Sequence, residues 1–220
     1  TKQLKKFSHH WRNIARLNDA EVIQLAIEDK IDILVDLSGY SAGNRMGVFA
    51  NRVAPIQLSY LGYPNSTGLS TMDYRITDYY TDPIGLTEHL YTEKLARLDS
   101  IFLCFSPPKS CPPVSKPPAD ENGFVTFGSF NNMGKINDEV VKLWSEVLLG
   151  SPRSKLLLKA KVLADDCIKK IVQSRFEKHG ISHERLIFRS YAKNYHSHIA
   201  TYKEIDISLD TFPYNGTTTT

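Results

Sequence analysis

The sequence has 220 residues, of which 41% are hydrophobic and 23% charged, and its formal net charge is +3. This length could hold one large domain or parts of two, and the nearly balanced charge gives no argument for nucleic acid or membrane partners. No apolar run approaches the ~20 residues of a membrane-spanning helix, and the N-terminus lacks a signal-peptide pattern. Three cysteines without a C-x-x-C pair indicate reduced, buried thiols in a cytoplasmic or nuclear protein.

The first hundred residues alternate between helical and extended patterns. The predicted elements are helices within 10–30 and over 44–52, and strands over 31–37, 55–61 and 73–78. Asn18 or Asp19 is the expected N-cap of the second helix within 10–30. The first strand is an uninterrupted apolar run of the kind that lies inside a parallel sheet. The order of elements predicts an α/β domain with a parallel sheet and crossover connections.

Residues 106–121 differ in composition from both sides, because they contain six prolines and no apolar periodicity. Proline fixes φ and removes a backbone donor, so this segment is predicted to be an extended connector. The predicted domains are therefore residues 1–105 and 122–220. The alternative is a long surface loop inside a single domain.

The α/β pattern begins again after the connector. The predicted strands cover 124–127, 154–159, 185–188 and 205–210, and the predicted helices begin at Asp138 and cover 164–178 and 196–204. This succession of strand and helix is typical of a Rossmann-like domain.

Three loops of this second half, 128–135, 189–198 and 211–220, follow strands and should meet at one edge of a parallel sheet. Lys135 is the one cation of the first loop and could stabilise a diphosphate, although a solvated lysine is the simpler interpretation. His198 could act on a ligand or be a packed histidine. The glycine and threonines at the end of the sequence could bind a phosphate at a helix N-terminus or form an ordinary N-cap loop.

The first half offers fewer candidates for chemistry. Its polar residues near strand ends are Asp32, Asp36, Tyr40, Tyr63 and Asp73. Carboxylates in such positions are usually turn or cap residues. The sequence contains no D-x-D pair, no His/Cys/carboxylate set with metal spacing, no G-x-G-x-x-G and no Walker loop, which disfavours dehydrogenases and nucleoside triphosphatases.

Long motifs in both halves resemble the nucleocytoplasmic protein O-glycosyltransferases, which comprise the O-GlcNAc transferases and their SPINDLY relatives. These motifs are Asp32–Gly39 (DILVDLSG), Ala54–Gln57 (APIQ), Leu61–Gly68 (LGYPNSTG), Met72–Asp78 (MDYRITD), Asn122–Asn132 (NGFVTFGSFNN), Lys135-Ile136 and Leu209–Thr220 (LDTFPYNGTTTT). The resemblance implies a GT-B fold of two Rossmann-like domains facing a cleft, with tetratricopeptide repeats before them. The chain then corresponds to the later part of the first domain and the earlier part of the second. Because it stops inside the threonine loop, we expect the 220-residue piece to be inactive.

The resemblance also implies a donor site in the second domain. The residues that match donor-binding positions of the family are Asn132, Lys135, His198, Gly216, Thr217, Thr218 and Thr219. Lys135 matches the lysine that neutralises the diphosphate. The implied reaction is direct displacement with inversion at the anomeric carbon, without a metal ion or other cofactor. Its implied partners are a nucleotide sugar and the Ser/Thr hydroxyls of proteins.

Two residues depart from the animal O-GlcNAc transferases and match the SPINDLY branch better. Asp32 and Thr217 each replace a histidine of the animal enzymes, and members of the SPINDLY branch can use GDP-fucose in place of UDP-GlcNAc. Asp32 is therefore a hypothetical catalytic residue, which could orient the acceptor or the donor sugar or act as a base. A non-catalytic scaffold that binds nucleotide or protein is the main alternative. A GT-B enzyme acting on small sugars is a weaker one.

Overall fold

The computed structural model describes residues 2–106, 111–192, 194–216 and 219, with Lys2 and Gln3 described by their backbone alone. The chain forms two compact units, Thr1–Cys104 and Phe105–Thr220. Each unit has its own sheet of four parallel strands. The predicted α/β class with parallel sheets is confirmed.

The first unit joins three predicted strands to one that was not predicted. Its helices and strands are α1 (Lys2–Lys5), α2 (Asp19–Glu28), β1 (Ile33–Asp36), α3 (Met46–Phe49), β2 (Ile56–Ser59), β3 (Tyr74–Asp78) and β4 (Lys94–Leu98). The strands lie in the order β1-β2-β3-β4. The missed strand, β4, pairs with β3 along its whole length, and its short mixed sequence gave little periodic signal.

Only the second part of the helical region predicted within 10–30 is a helix. Asn18 caps α2 in a capping box, in which its side chain accepts from the Glu21 N–H while the Glu21 carboxylate accepts from the Asn18 N–H. The helix expected before it is absent. The Arg45 guanidinium binds the carbonyls of Ile14 and Leu17, which a continuing helix would use internally.

The apolar sequence of β1 predicted a place inside the sheet. Among the four described strands β1 lies at the edge, beside β2 alone. Ile33 and Val35 on β1 and Ile56 on β2 remain exposed on one face. The opposite face is buried and carries polar side chains, among them Gln57 and Arg75. An apolar run cannot distinguish an edge strand from a central one, so the place of β1 inside the sheet of the whole domain stays a prediction.

The second unit has the alternation that the sequence predicted. Its helices and strands are α4 (Ala119–Asn122), β5 (Thr126–Ser129), α5 (Asp138–Gly150), β6 (Lys155–Lys159), α6 (Asp166–Glu177), β7 (Leu186–Arg189), α7 (Tyr195–Ala200) and β8 (Ile207–Ser208). The strand order is β7-β6-β5-β8, so the chain crosses from one side of β5 to the other. Helix α4 begins inside the predicted connector and ends one residue after it, at Asn122, and the boundaries of the connector stay a prediction.

Strand β5 begins and ends two residues later than predicted, because Gly128 belongs to the strand and not to the loop. A Cβ at Gly128 would lie 2.4 Å from Cγ2 of Ile205, so the missing side chain lets β5 approach the segment that leads into β8. The core of this unit lies between the sheet and α5 and α6, where Trp144, Leu156 and Phe176 are buried.

All three cysteines are free, as expected, but they are exposed and not buried as predicted. Cys104 and Cys111 lie in segments without regular structure, and Cys167 lies on the outer side of α6. Composition cannot place a thiol inside or outside a core. Among the described residues no helix is long and apolar enough to cross a membrane.

Arg185 stabilises the end of α5. Its Nη2 donates to the carbonyls of Leu148 and Ser151, each at 2.8 Å, and its Nε donates to the Ser154 carbonyl at 2.8 Å. The Leu148 carbonyl also accepts from the Ser151 N–H at 3.1 Å, so Arg185 gives this helix-end carbonyl a second donor and ties it to the segment that leads into β6.

We expect Arg185→Met to lower the free energy of unfolding by about 3 kcal/mol, because several charge-assisted hydrogen bonds are lost together. Urea unfolding followed by tryptophan fluorescence, to which the buried Trp144 contributes, measures the change. The exposed Arg153→Met is the matched control and should change stability by less than about 0.5 kcal/mol. Equal effects of the two substitutions would show that the contacts at the end of α5 contribute nothing.

Candidate functional site

The carboxyl ends of the second unit's strands surround a cavity of about 570 Å³. The loop after β5 contributes Asn132 and Met133, and the end of β6 contributes Lys159. Tyr191 follows β7, and His198 projects from α7. The predicted convergence of the first and second loops at one sheet edge is confirmed, and such an edge is where α/β proteins bind ligands.

Lys135 joins the first loop to the third. It ends a 3-10 turn, Met133–Lys135, that begins after the N-cap Asn132, whose Oδ1 accepts from the Gly134 N–H at 3.0 Å. The Lys135 Nζ donates to the carbonyl of Asn215 at 2.8 Å and lies 4.2 Å from the centre of the Tyr214 ring. The ammonium group is therefore held beside Gly216, at the start of the predicted phosphate loop.

Asp210 holds the third loop in shape. Its Oδ1 accepts from the backbone N–H groups of Thr211 at 2.8 Å and Gly216 at 2.7 Å, and from the Asn131 side chain at 3.2 Å. Its Oδ2 accepts from Asn215 Nδ2 at 3.3 Å. One carboxylate thus ties the loop back to β8 and to the loop after β5.

His198 lies among aromatic rings at the rim of the cavity. Its ring centre is 6.1 Å from that of Phe130 and 6.1 Å from that of Tyr202. Burial lowers the pKa of His198, and the nearby positive charge of Lys159 lowers it further. The imidazole is therefore uncharged near neutral pH, when it can donate one hydrogen bond and accept another.

Tyr202 connects the His198 region to the threonine loop. Its hydroxyl donates to the Thr219 carbonyl at 2.7 Å, and its ring packs edge-on against Phe130 with centres 4.1 Å apart. Asn132, Lys135, His198, Gly216 and Thr219 all lie at this edge of the sheet. Thr217 and Thr218 lie outside the described residues.

Three residues of this edge escaped the sequence analysis: Lys159, Tyr202 and Asp210. In the sequence, Lys159 is predicted as the last residue of a strand and Tyr202 as part of a short helix, and neither position indicates a ligand site. Asp210 does follow a strand, as a ligand-site residue should, and its position next to a Pro-containing turn was the signal that could have identified it.

Four of the candidate residues of the first unit make contacts within the fold that give them a structural role. They are Asp36, Tyr40, Tyr63 and Asp73. Asp36 accepts from the backbone N–H groups of Ser38 and Gly39 and closes a turn. Asp73 accepts two hydrogen bonds from Arg52, which lower its pKa, and a third from the Gln57 N–H. The Tyr40 hydroxyl donates to the Thr67 carbonyl, and its ring packs against Tyr63.

Asp32 lies immediately before β1, at the amino end of the strand, and its side chain is exposed. Its backbone carbonyl accepts from the Ile56 N–H at 3.2 Å. Four residues of β1 span about 13 Å between Asp32 and the loop at the carboxyl end. Within the first unit, Asp32 is therefore not beside the loops that follow the strands.

The whole chain matches the structure of a variant of the O-GlcNAc transferase of Thermobaculum terrenum. The TM-score is 0.92 and the identity 39%, over 99% of this chain and 41% of that one. The fold is therefore GT-B in type, with parts of two Rossmann-like domains, as expected.

The sequence profile of glycosyl transferase family 41 matches residues 2–106 and 118–220, and the chain belongs to this family. It is 44% identical, over 96% of its length, to SPINDLY of Petunia hybrida, named a probable UDP-N-acetylglucosamine–peptide N-acetylglucosaminyltransferase. It is 30% identical, over 99% of its length, to the protein SEC of Arabidopsis thaliana, which carries the corresponding name. The predicted resemblance to the SPINDLY branch is confirmed. The chain spans 22% of the length of each of these two relatives.

Proposed function

We propose that the full-length protein is an inverting protein O-glycosyltransferase. It transfers GlcNAc from UDP-GlcNAc, or fucose from GDP-fucose, to Ser/Thr hydroxyls of proteins. The observation that carries this proposal is the position of the Lys135 ammonium, 2.8 Å from the Asn215 carbonyl and beside Gly216. Family membership and the cavity at the same sheet edge support it.

In the proposed reaction the acceptor oxygen attacks the anomeric carbon as the bond to the diphosphate breaks. The electron pair of that bond goes to the leaving diphosphate, and the proton of the hydroxyl goes to a base. Lys135 stabilises the growing negative charge on the diphosphate, and the loop from Gly216 to Thr219 adds backbone donors. Asn132 and His198 contact the donor from the cavity side. The proposal requires no metal ion, because these groups supply the stabilisation.

The two forms of the proposal, GlcNAc transfer and fucose transfer, differ in the donor. Isothermal titration of the full-length protein with UDP-GlcNAc and GDP-fucose tests which donor it binds. Tight binding of GDP-fucose alone places the protein with fucosyl transfer, and preference for UDP-GlcNAc makes it an O-GlcNAc transferase. Transfer to an acceptor peptide, detected by the added mass of the sugar, must accompany the binding. Binding without transfer favours the scaffold interpretation, and binding of neither donor rejects the proposal.

The role of Asp32 is a separate proposal, because Asp32 lies at the amino end of β1 and the loops that follow the strands of its unit lie at the other end. If Asp32 orients a substrate or acts as the base, Asp32→Asn should lower turnover of the full-length protein about 100-fold or more. Full turnover in this variant removes Asp32 from the mechanism.

We also propose that the protein acts in the cytoplasm or nucleus, which fits its free cysteines. Tetratricopeptide repeats in the full-length protein, a further part of the proposal, would select the protein substrates. Fractionation of cells that express the tagged full-length protein tests the location.

A further inference from the structure

Lys159 is a buried lysine that forms no ion pair with a carboxylate among the described residues. It ends β6, and only 6% of its surface is exposed. Its Nζ donates to the His198 carbonyl at 3.1 Å and to the Thr201 hydroxyl at 2.7 Å, and it lies 5.4 Å from the centre of the Phe130 ring. Neutral acceptors and an aromatic ring repay only part of the cost of removing an ammonium group from water. Burial accordingly lowers the pKa of Lys159.

The two acceptors of Lys159 lie where α7 passes into the following 3-10 turn, Thr201–Glu204. The Thr201 hydroxyl in turn donates to the Ser197 carbonyl at 3.1 Å. Lys159 therefore clamps the end of the short helix that carries His198 to the end of a central strand. A six-residue helix has little stability of its own, so its position depends on such contacts.

We propose that Lys159 is a positioning residue of the donor site, which fixes the His198 ring at the rim of the cavity and acts on it electrostatically. This inference rests on the proposed function for its consequence, the binding of a nucleoside diphosphate. Lys135 and Lys159 then have different roles. Lys135 lies beside the proposed phosphate loop, and Lys159 holds the helix that carries His198.

The other titratable groups around His198 do not duplicate this charge. Tyr195 on α7 and Tyr202 after it are phenols, and burial raises the pKa of Tyr202. Lys161 lines the cavity farther along the loop after β6. Glu204 acts on Lys159, whose pKa it raises, and forms an ion pair with Arg189.

The test measures the titration of His198 in the full-length protein without donor, by the rate of deuterium exchange at its C2 carbon in mass spectrometry. We expect Lys159→Met to raise the titration midpoint on the order of one pH unit, because a buried positive charge near the imidazole is removed. Lys159→Arg, which keeps the charge, should restore the midpoint. Lys155→Met, at the other end of the same strand, is the matched control and should leave it unchanged.

A second measurement separates clamping from charge. Thr201→Val removes one acceptor of Lys159 but leaves its charge, so the His198 midpoint should stay while the Kd of GDP or UDP rises about 5-fold. An unchanged midpoint in a folded Lys159→Met protein overturns the electrostatic part of the proposal. An unchanged Kd in Thr201→Val overturns the positioning part, and if Lys159→Met does not fold, this arm still decides.

Failure of the proposed function gives a different pattern. If the protein binds neither nucleotide but shows the His198 shift, the contact between Lys159 and the histidine is supported and the glycosyltransferase proposal is rejected. If the protein binds nucleotide but shows neither the His198 shift nor the change in Kd, only the proposed role of Lys159 is rejected.

Discussion

Lys135→Met in the full-length protein is expected to lower sugar transfer to a peptide by about 100- to 1,000-fold. In the proposed reaction the leaving diphosphate gains negative charge as its bond to the sugar breaks. Lys135 is a cation held beside the predicted phosphate loop, with its Nζ 2.8 Å from the Asn215 carbonyl. Methionine keeps the length of the side chain but supplies neither charge nor hydrogen bond. The loss is measured as kcat/KM for the donor, with the acceptor peptide at a saturating concentration.

The effect should fall more on kcat than on donor binding, because the charge on the diphosphate is largest in the transition state. Lys142→Met, an exposed lysine on α5 in the same unit, is the matched control and should retain full activity. A Lys135→Met protein with wild-type kcat would show that leaving-group stabilisation comes from elsewhere. A loss confined to KM would assign Lys135 to ground-state binding only.

The sequence predicted the second unit well because its elements carry strong local signals. Helix α5 has an Asn137 N-cap and an apolar stripe, and β6 is a short apolar run. Parallel pairing followed from the alternation of these elements. Once it was assumed, the loops with Asn132, Lys135 and His198 had to meet at one edge.

The first unit was predicted less well, because tertiary contacts override its local patterns. Trp11, Ile14 and Leu17 have helical spacing, yet the Arg45 guanidinium takes the carbonyls of Ile14 and Leu17. That contact links residues about thirty positions apart, which no local pattern can reveal. The placement of Asp32 shows the same limit, since a motif match fixes the residue but not the end of the strand on which it lies.

Lys159 shows why part of the site cannot be read from the sequence. A lysine at the end of an apolar strand is normally solvated, but here contacts with the His198 carbonyl, the Thr201 hydroxyl and the Phe130 ring accompany its burial. Its acceptors lie about forty residues along the chain. The hydrogen bond from Tyr202 to Thr219 likewise depends on the final position of the third loop.

Asp210→Ala is expected to weaken donor binding about 100-fold, through the shape of the phosphate loop and not through direct contact. The carboxylate accepts from the Thr211 and Gly216 N–H groups and from the Asn131 and Asn215 side chains. Removing it takes this acceptor from the Thr211 and Gly216 N–H groups and frees the loop that Lys135 reaches, while the Asn215 amide keeps the Thr211 carbonyl at 3.1 Å. Titration with GDP and UDP measures the change in Kd.

Asp210→Asn distinguishes the loss of charge from the loss of shape. Asparagine keeps the volume and one carbonyl oxygen but places an NH₂ group against donors, so we expect a loss of about 10-fold, between wild type and alanine. Glu146→Gln, an exposed acid on α5, is the control and should bind as wild type does. If Asp210→Ala binds both nucleotides normally, the loop holds its form without Asp210, and ordering of the phosphate site must then come from the contacts of Lys135 and Tyr202.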